Sequence, residues 1–120
     1  MQPLNAAQLV VSRHQEPQGL VVEAAGEVDL TTAAQLREEL LAAVGHADKP
    51  SVIVDLSKVD FIDSAGLALL VEARKRLAPD GRTLSILLAP GRQPERVLKL
   101  GRFDTIMTLA HALSELSSPN

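Results

Sequence analysis

No cysteine, tryptophan or tyrosine occurs in the 120 residues, and the only aromatic side chains are Phe61 and Phe103. Without thiols there is no disulfide and no thiolate chemistry. Two scattered phenylalanines cannot build a platform for stacking bases. The net charge of −3 also denies the chain the basic face that nucleic acid requires. No apolar run approaches the ~18–20 residues that span a bilayer, so membrane insertion is not expected. The opening residues Met1-Gln2-Pro3-Leu4-Asn5 lack the basic and hydrophobic regions of a signal peptide, which makes the cytoplasm the expected compartment. Partners among proteins and small molecules remain.

What the chain does have is apolar residues, 46% of the total, in short runs separated by turn signals. The length suits one domain over residues 1–120, with a core from about residue 8 to residue 116. Leu9-Val10-Val11 and Leu20–Ala25 read as strands joined through Glu16-Pro17-Gln18-Gly19, a hairpin. Residues before Leu9 read as a loose terminus. Thr31 or Thr32 can cap a helix whose apolar stripe is Ala33, Leu36, Leu40, Ala43 and Val44. Gly45 is placed to stop it, and Asp48-Lys49-Pro50 closes the loop.

Val52–Leu56 is β-branched and nearly continuous in apolar character, the pattern of a buried strand. Leu67, Leu70, Val71 and Leu77 follow at helical spacing, with Glu72, Lys75 and Arg76 on the other side and Pro79-Asp80-Gly81 as the turn. Leu84–Leu88 predicts a further buried strand. After Pro90-Gly91 comes a helix with Pro94 in its first turn, Val97, Leu98 and Leu100 as its apolar face, and Gly101 at its end. Ile106–Leu109 predicts a short last strand. Ala110, Leu113 and Leu116 predict a terminal helix, the fourth, before Ser117–Asn120 frays. An initial hairpin followed by alternating strands and helices implies an α/β layered sandwich on a mixed, mostly parallel sheet with right-handed crossovers.

Between the central strand and its helix, an acidic turn delivers Ser64 to the helix start, where an N-cap belongs. Two readings of Ser64 stand side by side. It caps the helix, or it is a phosphorylation switch. A phosphate would add about −1.5 to −2 charges beside Asp63, Asp60 and Asp29, at a helix end that tolerates anions. Gly66 offers an unbranched backbone through which a partner could approach the hydroxyl.

Enzyme readings fare poorly. A serine-hydrolase elbow needs glycine two residues before the nucleophile, and Ile62 stands there. His14, His46 and His111 are scattered and lack metal-ligand spacing. There is no phosphate-binding loop of the GxxxxGK[ST] type and no GxGxxG turn. Asp55 resembles a receiver-type phosphoacceptor, yet no acidic pair follows the first strand to hold magnesium, and a loop-capping role suits it better. Arg74, Lys75 and Arg76 suit a helix C-terminus. Arg92, Arg96, Lys99 and Arg102 suit a solvated face.

The run Asp63-Ser64-Ala65-Gly66-Leu67, preceded by Val54-Asp55-Leu56-Ser57 and Val59-Asp60-Phe61-Ile62, resembles the signature of the STAS domain. That domain is shared by bacterial anti-sigma factor antagonists and the cytoplasmic tails of sulfate transporters. Gly26-Glu27-Val28-Asp29 resembles the family's second motif, and the likeness extends from Gln8 to Leu116. The resemblance to the antagonists implies a STAS fold and a binding module, not an enzyme, with no cofactor. It implies as partners an anti-sigma factor serine kinase of histidine-kinase-like fold and a serine phosphatase. It also implies phosphorylation at Ser64 and a docking surface made of Asp29, Asp63, Ser64, Ala65, Gly66 and Leu67. Ala65 departs from the second hydroxyl residue that many antagonists carry. The run from Asp63 to Leu70 also resembles STAS subunits that bind the ATPase of a lipid-asymmetry ABC transporter. A stand-alone STAS domain of a stress-sensing complex is the third member of that set.

Overall fold

A computed structural model describes residues 9–46 and 51–117. The expectations placed on the N-terminal residues before Leu9, on Asp48-Lys49-Pro50 and on the last three residues lie outside the described residues. The described elements are β1 (Val10–Glu16), β2 (Gly19–Val28), α1 (Ala33–Val44), β3 (Ser51–Ile62), α2 (Ser64–Leu77), β4 (Thr83–Leu87), α3 (Gln93–Leu100) and β5 (Thr108–Ala110). They form one five-stranded sheet in the order β1-β2-β3-β4-β5, antiparallel for the first pair and parallel for the rest.

This order decides where the helices go. Parallel strands added one after another in a single direction, with right-handed crossovers, send every connecting helix to the same face. Leu36 and Leu40 of α1, Leu70 and Leu77 of α2 and Leu98 of α3 accordingly share one core with Val22, Val54 and Ile86 of the sheet. The opposite face carries a smaller apolar group, Val21, Ile53, Leu87 and Ala110, against which, among the described residues, Leu113 and Leu116 pack. The domain is therefore two layers thick.

Three expectations need correction. The predicted terminal helix is a single 3-10 turn, Leu113–Glu115. Leu113 and Leu116 cover the helix-free face of the sheet there, which one turn suffices to do. Leu100 is 84% exposed: α3 buries Pro94, Glu95 and Leu98 instead, so its inner face is set one residue round from the apolar pattern. The last strand is Thr108–Ala110, displaced from the predicted Ile106–Leu109 because Phe103–Thr105 forms a 3-10 turn that carries the chain past Ile106.

β3 is longer than its neighbours. Leu20–Val28 of β2, nine residues, runs beside Val52–Ile62 of β3, eleven residues, and the excess is absorbed in two register shifts. At the first, Asp55 Oδ1 accepts the Ser57 N–H (2.9 Å) and hydroxyl (2.6 Å), the capping role its sequence context suggested. The second adds Asp60. Gly26, at φ +125°, sits opposite this shift, a backbone angle that side chains resist. β4 pairs with β3 only as far as Asp55, so the last part of β3 projects beyond it. The Gln93 side chain closes that edge. Its Oε1 accepts the Ile62 N–H (2.9 Å) and its Nε2 donates to the Ile62 carbonyl (3.0 Å), standing in for a strand.

Candidate functional site

β2 and β3 end level. Val28 pairs with Ile62, and the Asp63 N–H donates to the Val28 carbonyl (3.0 Å). Asp29 and Asp63 therefore open two adjacent loops at the C-terminal ends of neighbouring parallel strands, the edge where open α/β sheets place their ligands.

The loop after β2 is held by its own side chains. Asp29 Oδ1 accepts the Thr31 N–H (2.9 Å), the Thr31 hydroxyl (2.7 Å) and the Thr32 N–H (3.2 Å). Thr32, buried at the N-cap position of α1, does not cap that helix. Its hydroxyl donates to the Glu27 carbonyl (2.8 Å) and accepts the Asp29 N–H (3.0 Å). The Thr31 hydroxyl holds the Asp29 carboxyl below its ordinary value, opposed by partial burial and helped by the N–H groups of Thr31 and Thr32. Asp29 is thus a fixed negative charge whose carboxylate is committed to its own loop.

The loop after β3 revises the reading of Ser64. Asp63, not Ser64, is the N-cap of α2: its Oδ1 accepts the N–H groups of Ala65 (2.9 Å) and Gly66 (3.3 Å), and its backbone is extended. Ser64 is the first helical residue. Its side chain is exposed and takes no partner among the described residues. An aspartate directly before a serine competes for the cap, and a carboxylate is the better acceptor for helical N–H groups that carry partial positive charge.

Gly66 also reads differently in three dimensions. It is buried, and a Cβ on it would lie 2.5 Å from Ile62 Cγ1 and 2.7 Å from Val28 Cγ1. The missing side chain lets the first turn of α2 settle on the paired strand ends; it does not open a path from solvent. Of the other predicted docking residues, Asp63, Ala65 and Leu67 are half-buried, and Leu67 packs on the core. Ser64 is the member of the set that stands clear.

Several residues at this end escaped the sequence reading. Leu30 is 81% exposed, and Phe61 at 39% is exposed beside the second register shift. Arg92, the residue before α3, pairs with Asp60, so the basic segment is tied to the acidic one. Arg96 donates to the Gly91 carbonyl (2.6 Å) and Lys99 pairs with Glu95 (3.3 Å). These side chains were expected to be merely solvated. The adjacent apolar pair Phe61-Ile62 breaks strand alternation and was the available signal for the bulge. Gln93 carried none.

Behind this edge, Glu95 is buried between α3 and the end of β5. It accepts the Gly91 N–H (2.8 Å) and is bonded to His111 Nε2. The Gly91 N–H, then His111, hold its carboxyl down to about 2, with burial opposing and Lys99 assisting. His14 pairs with Glu16 (3.3 Å), and no group of three potential ligands gathers among the described residues. No helix of the described residues is long and apolar enough to cross a membrane.

Comparison with known proteins gives three kinds of likeness. Residues 11–111 match a family model described as Mlab, STAS domain. The chain is 40% identical over 58 residues to the anti-sigma-F factor antagonist RsfB of Mycobacterium tuberculosis, a stretch that is 48% of this chain and 46% of RsfB. The chain thus spans about half the length of the curated relatives it matches. In structure it is similar to an anti-sigma factor antagonist from Mycobacterium paratuberculosis, with TM-score 0.83 at 23% identity over 92% of each chain. It is also similar to SpoIIAA, solved in unphosphorylated and phosphorylated forms. The TM-scores are 0.66 and 0.63 at 19% and 18% identity, over 88% of this chain and 92% and 95% of those. At these identities the structural likeness is one of fold.

Proposed function

The chain belongs to the STAS-domain family, and on that premise we propose that it is an anti-sigma factor antagonist switched by phosphorylation of Ser64. In this reading the unmodified protein docks an anti-sigma factor serine kinase through the surface around Ser64 and so releases a sigma factor. The kinase then phosphorylates Ser64 and the complex separates, until a serine phosphatase restores the hydroxyl. The surface is Ser64 with Asp29, Asp63, Ala65, Gly66 and Leu67, joined by the exposed Leu30 and Phe61.

The observation that carries the proposal is the division of labour between Asp63 and Ser64. With the cap supplied by Asp63, the Ser64 hydroxyl has no structural task and projects from the first turn of α2. A phosphate there would meet the N-terminal end of the helix dipole, which tolerates it, and the neighbouring carboxylates of Asp63 and Asp29, which repel it. Within a packed interface, the same phosphate adds desolvation and like-charge cost without requiring the fold to change. Support also comes from the partial identity to RsfB and from SpoIIAA, which shares the fold and exists in a phosphorylated form.

One observation favours a second reading, a STAS subunit bound to the ATPase of a lipid-asymmetry ABC transporter: the matched family model carries the Mlab description. Affinity capture from host lysate with Ser64→Ala protein as bait separates the two. A histidine-kinase-like ATPase that phosphorylates wild-type protein, but not Ser64→Ala, upholds partner switching. Recovery of an ABC ATPase with its permease overturns it in favour of the second reading.

A further inference from the structure

A separate cavity lies on the face of the sheet that carries no helices. Side chains alternate along each strand. Val52 and Val54 of β3 and Leu84 and Ile86 of β4 belong to the helix-side core, so Ser51, Ile53, Thr83 and Ser85 face the other way. The strand register sets them side by side: Ser51 beside Thr83, Ile53 beside Ser85, and Ser85 beside Thr108 at the start of β5. These side chains floor a cavity of about 340 Å³, walled by Gln18 of the β1–β2 turn and by Leu116 just after the last 3-10 turn. It lies at the opposite end of β3 from Ser64.

Two polar groups of this lining are unsatisfied. Ser85 is 9% exposed, and its hydroxyl takes no hydrogen bond among the described residues. The Gln18 side-chain oxygen is buried without a partner. Its terminal torsion is soft, so a donor in the cavity can draw it out. The hydroxyls of Ser51 and Thr83 bond each other (3.0 Å), which leaves the pair one hydrogen to donate, and Thr108 adds an exposed hydroxyl. A buried polar group left unpaired costs free energy that a bound molecule recovers. Charge narrows the choice of molecule. Among the described residues no basic side chain lines the cavity to compensate an anion, and its one carboxylate, Glu115, is bonded to the His111 N–H (3.0 Å). What remains is hydroxyls and an amide around the apolar surface of Ile53 and Leu116. A polyol hydroxyl donates and accepts at once, as Gln18 and Ser85 together require, and its C–H groups suit that surface. We propose that this cavity binds a small neutral polyhydroxyl compound, with Ser85 and Gln18 as its hydrogen-bonding partners. The site is independent of Ser64 and of the partner-switching reading.

The test is an NMR titration of the full chain with glycerol, myo-inositol and D-glucose, with urea as a neutral control and ethanolamine as a cationic one. The backbone amides of Ser85 and Thr108 and the Gln18 side-chain amide report on the cavity. The expected result is saturable shifts of these resonances, with myo-inositol or glucose binding more tightly than glycerol, which fills less of the space. Ser85→Ala and Gln18→Met should each weaken binding about three- to tenfold, the worth of one hydrogen bond. Gln18→Met also removes the unpaired buried oxygen, so the free protein should unfold at an unchanged or higher urea midpoint, which separates loss of binding from loss of fold. Shifts equal to those from urea would mean an adventitious additive only and overturn the proposal. So would the absence of saturation with all three polyols, tighter binding of ethanolamine than of any polyol, or unchanged affinity in both variants.

Discussion

Replacing Gly66 by alanine tests how the first turn of α2 is seated. In an exposed helix this change stabilises by up to about 1 kcal/mol, since alanine is the better helix former. Here the added Cβ would meet Ile62 Cγ1 at 2.5 Å, Val28 Cγ1 at 2.7 Å and Ile62 Cδ1 at 2.9 Å. All three atoms belong to β-branched, fully buried side chains at the paired ends of β3 and β2, with few rotamers to yield into. Overpacking costs about 1–3 kcal/mol, and contacts this far inside van der Waals distance belong in the upper part of that range, about 2–3 kcal/mol. Set against the propensity gain, the net expectation is a loss of about 1–2 kcal/mol, which for a domain of this size lowers Tm by roughly 4–10 °C. Urea unfolding should show a lower midpoint at unchanged slope. Val28→Ala removes one of the clashing atoms, so the double variant should lose less than the two single changes added together, by about 0.5 kcal/mol or more. A Gly66→Ala protein as stable as wild type, or more so, would refute the seating and return Gly66 to the role of leaving room at the surface.

Two further predictions concern the same end of the molecule. Asp63→Ala removes the cap of α2 and should cost about 0.5–2 kcal/mol, while Ser64→Ala should stay within about 0.5 kcal/mol of wild type; thermal denaturation of both decides which residue holds the helix, and the reverse order would restore Ser64 as the cap. For Glu95, the folded carboxyl titrates at about 2 against an ordinary 4.5, so the unfolded chain takes up this proton first as the pH falls. The stabilisation is complete above pH 4.5 and is lost as the pH drops towards about 2. Glu95→Gln, which can still accept the Gly91 N–H, should therefore flatten the fall of stability with pH across that window, and an unchanged slope by urea titration would refute the assignment.

Much of the domain was readable without coordinates because its signals are local. The hairpin followed from Pro17 and Gly19 between two apolar runs, and α1 from the spacing of Leu36, Leu40, Ala43 and Val44, all of them buried in the fold. The strand order was not legible in this way, because strands alternating with helices also fit sheets whose order reverses, and the one-directional order β1-β2-β3-β4-β5 is a property of the fold. Asp63 directly follows the apolar pair Phe61-Ile62, whereas Asp29, preceded by Gly26-Glu27-Val28, was singled out by the resemblance of that run to a family motif.

The remaining features depend on what lies across space. Which of Asp63 and Ser64 caps α2 is a contest between neighbours that only backbone geometry resolves, through the extended conformation of Asp63. Gly66 looks the same in sequence whether it faces solvent or a strand, and the β2–β3 register turns it inward. Gln93 lies 31 residues beyond Ile62 and becomes its hydrogen-bond partner only because β3 outruns β4. The residue pattern of the chain thus determined a layered α/β domain with an acidic turn at its centre. Tertiary packing decided that the hydroxyl in that turn is relieved of structural work, because a neighbouring carboxylate holds the helix and a missing side chain lets it sit down on the sheet.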